Sequence, residues 1–271
     1  MAEVMTPRPA ATVTLVRDTP GGFEVLMVQR NFKSVFMPGM HVFPGGGVDP
    51  HDSSAEVAAL CRGLDDVAAS RRLGIARGGL AYWVAAIRES FEEAGILLAC
   101  NAQGEIVMLD DAVRAQRFHA YRSRVEHGEH PLSEMLRHEG LHLPLQQMTY
   151  FSHWITPVGS PRRYDTRFFV AAAPAAQQPL HDNRETINHV WVRPGEALDR
   201  YKQKNFDMRT PTLHTLRLFA EHDSVASLIQ RLQALGDIPV IEPRIAKSGR
   251  RVLPGDPEYE TAGTEAGRGT F

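Results

Sequence analysis

Between positions 88 and 96 the chain reads RESFEEAGI. Arg88, Glu89, Glu92 and Glu93 fall at the i, i+3 and i+4 spacing that gathers side chains on one helix face. Carboxylates gathered this way repel one another by about 0.2–0.5 kcal/mol per pair. They also approach the helix C-terminus, where the dipole disfavours anions. A divalent cation relieves both costs: carboxylate oxygens suit Mg²⁺ or Mn²⁺, with water and a phosphate completing the shell. The plainer alternative is a solvated acidic face with Arg88 pairing nearby, since charge runs usually face water. The flanks argue against it. Ala94 and Gly95 end the helix and lead into an apolar run, and about forty residues upstream stands HVFPGGGVDPHD. Its Gly45, Gly46 and Gly47 answer either a turn that needs positive φ or a backbone that must approach something closely.

The elements that would position these groups follow from patterning. Residues 11–17 and 23–29 are apolar, β-branched runs around a Pro-Gly-Gly turn, and MHVFPGG reads as a third strand entering the glycines. Residues 53–80 carry Val57, Leu60, Leu64 and Val67 near helical spacing, with Ser53 or Ser54 as the cap. LAYWVAAIRESFEEAG is the acidic helix, with Gly95 as its C′ residue. Residues 110–140 read as a helix and a loop. Strands resume in TYFSHWITP, YDTRFFVAAAP and INHVWVRP, and a helix runs from near Pro211 to about residue 235. After Pro239 the chain is rich in Pro, Gly and charge, the composition of an extended or partly disordered tail. This order of strands and helices fits an α/β sandwich with a mixed sheet better than a doubly wound parallel fold.

The 271 residues, 43% apolar and 23% charged, suffice for one large domain with an appendage. A net charge of −2 argues against a general nucleic-acid or anionic-membrane binder. Cys61 and Cys100 stand in no metal-ligand spacing and favour a reducing compartment. No apolar run has the length of a membrane span, and MAEVMTPRPAATVTLVRD shows no basic stretch followed by an apolar one. The expectation is a cytoplasmic protein with neither nucleic acid nor membrane as partner; a homodimer is compatible with it.

The acidic motif and the glycine loop together resemble the signature of the Nudix hydrolase family, G-x5-E-x7-R-E-U-x-E-E-x-G-U, where U is apolar. Arg88 to Ile96 supply its second half, with Ser90 at one apolar position; Gly46 opens the first half, and Asp52 stands where the family has Glu. The stretch from Ser53 to Ile87 is 35 residues long where the signature has seven. Long surface insertions cost only about 0.6 kcal/mol per doubling of loop length, so a split box can keep its geometry. The extra residues would lid the pocket or build a dimer surface. The split box, with VFMPGMHVFPGG and RRYDTRFF, is similar to the subgroup containing the peroxisomal acyl-coenzyme A diphosphatases.

The resemblance implies a Nudix-type α/β/α sandwich with a mixed β-sheet. The Nudix domain would span residues 8–198, with a helical insertion at 53–83 inside the box. An added C-terminal helix would lie in an extension at 199–238, followed by the tail at 239–271. It implies metal-dependent hydrolysis of a nucleoside diphosphate linked to another group. Coenzyme A or acyl-CoA is the favoured substrate, cut to 3′,5′-ADP and (acyl-)4′-phosphopantetheine. Alternatives are a nucleotide sugar, a dinucleotide or a nucleoside triphosphate, or a non-catalytic ligand sensor on the same scaffold. The resemblance also assigns roles. Glu89, Glu92 and Glu93 would ligate Mg²⁺ or Mn²⁺, Glu89 or Glu185 would take the proton from attacking water, and Arg88 would hold Glu89. Gly45, Gly46 and Gly47 would bring backbone close to the diphosphate. Arg30 and Lys33 would reach phosphate oxygens. Arg162, Arg163 and Arg167, around Tyr164 and Asp165, would grip a phosphate such as the 3′-phosphate of coenzyme A, or simply be exposed strand residues. Trp154 and Phe151 stack on an adenine or belong to the core. HEGLH, residues 138–142, matches the H-E-x-x-H zinc pattern, but Gly140 and the following Pro144 make it a surface turn.

Overall fold

The computed structural model describes residues 5–34, 37–128, 131–180 and 184–262. Strand β1 (Arg8–Thr19) pairs antiparallel with β2 (Gly22–Arg30) across the expected turn. β3 (His41–Val42) continues from β2, and β4 (Gly45–Gly47) lies antiparallel to β1. The inserted stretch contains α1 (Ala55–Ala58), β5 (Cys61–Arg62) and α2 (Asp66–Leu73), and leads into α3 (Leu80–Ala94). After α4 (Ala112–Glu126) and α5 (Leu132–His138), β6 (Leu143–Pro144) pairs with β5. β7 (Met148–Ile155) and β8 (Tyr164–Ala172) rejoin the main sheet, with β8 parallel to β1. β9 (Thr186–Val192) pairs with β2. α6 (Pro194–Lys202), α7 (Thr210–Phe219) and α8 (Val225–Gln233) follow, and then β10 (Val240–Ile241), parallel to β7. β11 (Arg244–Ile245) and β12 (Arg251–Val252) close the described chain. Among the described residues the main sheet has eight strands, of mixed direction.

The period-2 alternation of the strands builds a core on each face of this sheet. From β1 and β2, Val13, Leu15, Leu26 and Val28 join the helices α2–α5 on one side, while Val16, Phe23, Val25 and Met27 join α6–α8 on the other. The result is the expected α/β/α sandwich. Leu80 to Ile87 are all buried, so the first half of α3 is a core helix and only its second half has a polar face. Trp83 packs on Phe169 with ring centroids 4.7 Å apart; burying a side chain of this kind contributes about 1.5–3 kcal/mol or more. Gly95 ends α3 in the left-handed conformation, φ 69°, with its N–H donating to the carbonyls of Phe91 and Ser90. Ser90, at an apolar position of the signature, is buried and donates to the Ile96 carbonyl, 2.8 Å, so its hydroxyl closes the same turn.

Three expectations change. Residues 53–80 are not one helix: Gly63, φ 77°, breaks the pattern and Asp65 caps a new start at the Ala68 amide. Val67 is consequently 68% exposed. The helix expected from near Pro211 to about residue 235 is two helices, Thr210–Phe219 and Val225–Gln233. α6 runs across position 198, and the 210–235 pattern divides where Ser224 caps α8. These helices cover a whole sheet face, with Phe219 packed on Phe23 and Phe151. Finally, residues 239–262 are ordered against the sheet through β10 and a half-buried ion pair, Arg163 to Glu242 at 2.6 Å. Residues 263–271 of the expected tail lie outside the described residues.

Candidate active site

The second half of α3 delivers its four charged residues as the spacing requires. Arg88 is the hub. Its Nε and Nη2 donate to the two oxygens of Asp52, 3.0 Å each, and its Nη1 donates to Glu89 and Glu92, 2.9 Å each. Nη2 also donates to the Gly47 carbonyl at 2.7 Å. Asp52 sits on a 3₁₀ turn begun by Asp49 and Pro50, and its own carboxylate closes that turn on the Asp49 amide. It is buried behind Arg88. Its shorter reach therefore serves a bidentate clamp on the guanidinium. Glu93 lies on the adjoining side, accepting from the Gly45 amide at 3.0 Å, with Arg30 Nη1 at 3.9 Å.

The glycines answer their two readings separately. None of Gly45, Gly46 and Gly47 has positive φ; they form strand β4, opposite Thr12, Ala11 and Ala10. Close approach is the reason at Gly45 and Gly46. A Cβ on Gly45 would lie 2.5 Å from the Ala11 carbonyl oxygen, and one on Gly46 would lie 2.5 Å from Glu89 Oε1. At Gly47 the space is open, the nearest atom being the Pro9 oxygen at 4.0 Å.

Anions near the C-terminus of α3 are held there from behind. The buried Arg122 of α4 donates to the Glu92 carbonyl at 2.9 Å, and Thr186 of β9 donates to the Glu93 carbonyl at 3.1 Å. At the other end, Asp66 in the insertion accepts from the Gly78 and Leu80 amides, 3.0 Å each. The insertion therefore braces the start of the acidic helix. None of residues 53–79 lines the cavity described next, so a lid role finds no support among the described residues.

The carboxylates face a cavity of about 740 Å³, within the range of small-molecule sites. Burial pushes Glu92 up to about 7 against the pull of Arg88. Burial and the neighbouring Glu89 charge push Glu93 well above the usual carboxylate range. Burial likewise raises Glu89, although Arg88 opposes it. Burial alone would lower the pKa of Arg88, but hydrogen bonding to Asp52 and the surrounding anions raise it, so its charge is permanent. The donor set of hard oxygens carrying uncompensated negative charge fits a divalent cation. In this side-chain arrangement no three His, Cys, Asp or Glu among the described residues already converge as ligands, and Arg88 bonds to both Glu89 and Glu92. A cation would have to share both carboxylates with the guanidinium.

Of the other expected residues, Arg30, Arg162, Glu185 and Trp154 line the cavity. Glu185 is close enough for its charge to raise Glu89 and Glu93. Lys33 lines a smaller adjoining recess with Arg30 and Arg162. Arg163 does not line the cavity. It is 6% exposed, and its guanidinium is consumed by the Thr156 and Met5 carbonyls and Glu242. As a substrate ligand it is corrected to a structural anchor, because a buried charge must satisfy its donors within the fold. Arg167 is similarly buried on Asp165, and Phe151 is core. HEGLH is a turn, with Gly140 at φ 66° and Glu139 held by Arg117 at 2.8 Å. Sequence reasoning missed Glu126, Arg209 and Arg251, all of which line the cavity; each sits in a segment with no motif of its own.

Comparison with known proteins agrees with this geometry. A sequence model of the NUDT19 Nudix domain matches residues 68–219. The chain is 30% identical over 267 residues to the acyl-coenzyme A diphosphatase NUDT19 of Gallus gallus, covering 82% of this chain and 70% of that protein. It is 27% identical over 254 residues to the protein of the same name from Homo sapiens, covering 82% and 67%. To the Xenopus laevis protein of that name it is 30% identical, covering 72% of this chain but only 59% of that protein. A crystal structure of a NUDIX hydrolase from Alicyclobacillus acidocaldarius superposes with a TM-score of 0.70 at 26% identity, over 86% of this chain and 99% of that one.

Proposed function

The chain belongs to the Nudix hydrolase family, and on that premise we propose that it is a divalent-metal-dependent diphosphatase of coenzyme A and acyl-CoA. The products are 3′,5′-ADP and (acyl-)4′-phosphopantetheine. The observation that carries the reading is the convergence, in one cavity, of the acidic face of α3 with a strand stripped of side chains at Gly46. The names of the relatives supply the substrate class.

Glu89, Glu92 and Glu93 would hold the cation, Mg²⁺ or Mn²⁺. Bound there, it supplies positive charge to the diphosphate and acidifies the attacking water. Arg88 fixes Glu89 and Glu92 and is itself fixed by Asp52, so two carboxylates are oriented before substrate arrives. Glu89 takes the proton from water, with Glu185 as the second carboxylate within its electrostatic reach. The β4 backbone gives the diphosphate a close approach, and Arg30 and Arg162 add positive charge to its oxygens. Water attacks phosphorus, the bridging P–O bond breaks, and the two phosphate monoesters leave.

The test incubates the protein with coenzyme A and acyl-CoA in Mg²⁺ or Mn²⁺ and identifies the products by mass. Release of 3′,5′-ADP is expected, and turnover should stop on chelation. Glu92→Gln and Glu93→Gln should each lose several kcal/mol of transition-state stabilisation, about 10²–10³-fold in rate, with an unchanged circular dichroism spectrum. Full activity in both variants would remove these carboxylates from the site.

A further inference from the structure

The cavity also has a basic part, contributed by segments distant in sequence from the carboxylates of α3. Arg209, which precedes α7, and Arg251, which opens β12, both line it beside Trp154 and Phe168. They come from segments more than forty residues apart. Arg251 Nη1 donates to the Thr210 hydroxyl at 3.1 Å, which ties the two segments together. Neither arginine makes an ion pair among the described residues. Burial and the Arg209 charge both bear on Arg251 and lower its pKa. Two neighbouring cations without a counter-ion, half-open to water at a cavity wall, repel each other and attract an anion.

The fold invests several contacts in holding Arg251 there. Glu242 pairs with the buried Arg163, Tyr259 donates to the Glu242 carbonyl at 2.9 Å, and Arg244 lies 4.1 Å over the Tyr259 ring. Val252, next to Arg251, is fully buried. Arg163, displaced from the substrate, is thus a positioning residue for the segment that carries Arg251.

We propose that Arg209 and Arg251 form an anion subsite for the 3′-phosphate of the coenzyme A nucleotide, so that the chain selects 3′-phosphorylated over dephosphorylated adenosine compounds. The assignment rests on the coenzyme A reading above. That substrate carries three phosphates. Two belong to the scissile diphosphate and must lie at the carboxylate end, which leaves the 3′-phosphate as the one anionic group outside that end, with the adenosine and the pantetheine arm as the neutral remainder. Trp154 and Phe168 add apolar surface to the same cavity, and the two arginines add charge. A guanidinium pair suits a phosphate monoester because each can donate two parallel N–H bonds.

The experiment has one arm that needs no turnover. 3′,5′-ADP and 5′-AMP are titrated calorimetrically into the wild type, Arg209→Ala, Arg251→Ala and Arg251→Lys, with thermal melts to check folding. The wild type should bind 3′,5′-ADP about tenfold or more tightly than 5′-AMP, and each alanine variant should bring the two within about twofold. Arg251→Lys should retain part of the preference, since it keeps charge but loses the bidentate fork. Equal binding of the two nucleotides by the wild type, or a preference untouched in both alanine variants, overturns the subsite. The second arm compares kcat/KM for coenzyme A and dephospho-coenzyme A, and the ratio should fall by the same factor in the variants. A parallel loss on both substrates would also overturn it. Absent turnover with an arginine-dependent preference in the first arm would leave the subsite standing and bring down the diphosphatase reading instead.

Discussion

One cavity has two poles, and they are built in opposite ways. The acidic pole takes Glu89, Glu92 and Glu93 from a single helical turn and a half, with carboxylates in excess and Arg88 holding two of them together with Asp52 from the 3₁₀ turn. The basic pole takes Arg209 and Arg251 from distant segments and leaves both without a carboxylate partner among the described residues. Local spacing forces the first cluster together at any cost the rest of the fold can meet. Only the completed sandwich, with residues 239–262 folded back onto β7, creates the second. The difference teaches where strain sits: the acidic pole carries buried repulsion and needs internal support, whereas the basic pole is half-exposed and can wait for its ligand in water.

The sharpest way to break the acidic pole is to remove its hub. Arg88→Ala leaves Asp52, Glu89 and Glu92 buried without their cation. Removing one partner of a buried charged cluster costs about 3–5 kcal/mol, and the loss should appear as a lowered midpoint in urea titration at neutral pH. The same substitution at Arg251 should stay within about 0.5 kcal/mol of the wild type, as partly exposed sites do. Equal stability loss at the two poles would erase the contrast.

The next test uses pH in metal-free protein. Glu92 rises from an ordinary 4.5 to about 7 in the folded state. The folded protein therefore binds more protons than the unfolded chain between those values, and stability falls as pH climbs through that window. At about 1.4 kcal/mol per pH unit the full fall from Glu92 alone is on the order of 3 kcal/mol. Glu89 and Glu93 act in the same direction. Melting temperature measured in chelator should drop from pH 5 to pH 8, and Mg²⁺ should restore more of it at pH 8, because the ligands must be deprotonated to bind. A flat profile would mean that these carboxylates are better solvated than their burial indicates.

The two poles also differ in how far the sequence reveals them. Glu89, Glu92 and Glu93 are legible because a helix converts spacing into proximity, and Gly95 marks where that helix must stop. The strands β1, β2, β7 and β8 are legible for the same reason, through alternation. Arg163 is misplaced because a strand-end arginine looks alike whether it faces a ligand or a glutamate 79 positions away. Arg251 could not be found at all, since a Pro- and Gly-rich composition predicts a loose segment and nothing local announces that Val252 will be buried. The division of 53–80 was missed because Val57, Leu60 and Leu64 keep helical spacing on both sides of Gly63, and the apolar period does not register the turn between them.

The smallest and most selective test lies inside the glycine strand, where three identical residues should respond in three ways to the same methyl group. In Gly45→Ala the new Cβ meets backbone, 2.5 Å from the Ala11 oxygen and 2.7 Å from Thr12 Cα. Backbone cannot yield without parting β4 from β1, so stability should fall by about 1–3 kcal/mol, as overpacking usually costs. In Gly46→Ala the three atoms nearest the Cβ all belong to the Glu89 carboxylate, at 2.5 to 2.7 Å. A side-chain end can move, so the fold survives, but the carboxylate leaves the position in which Arg88 holds it. A misplaced catalytic group costs about 10²-fold in rate, and the loss should appear in kcat with the melting temperature nearly unchanged. In Gly47→Ala the Cβ meets nothing closer than 4.0 Å, and the substitution should hold or raise stability by up to about 1 kcal/mol by restricting the unfolded chain. If Gly46→Ala instead lowers stability and leaves kcat intact, Glu89 has room to spare, and the claim that the strand was stripped for that carboxylate fails.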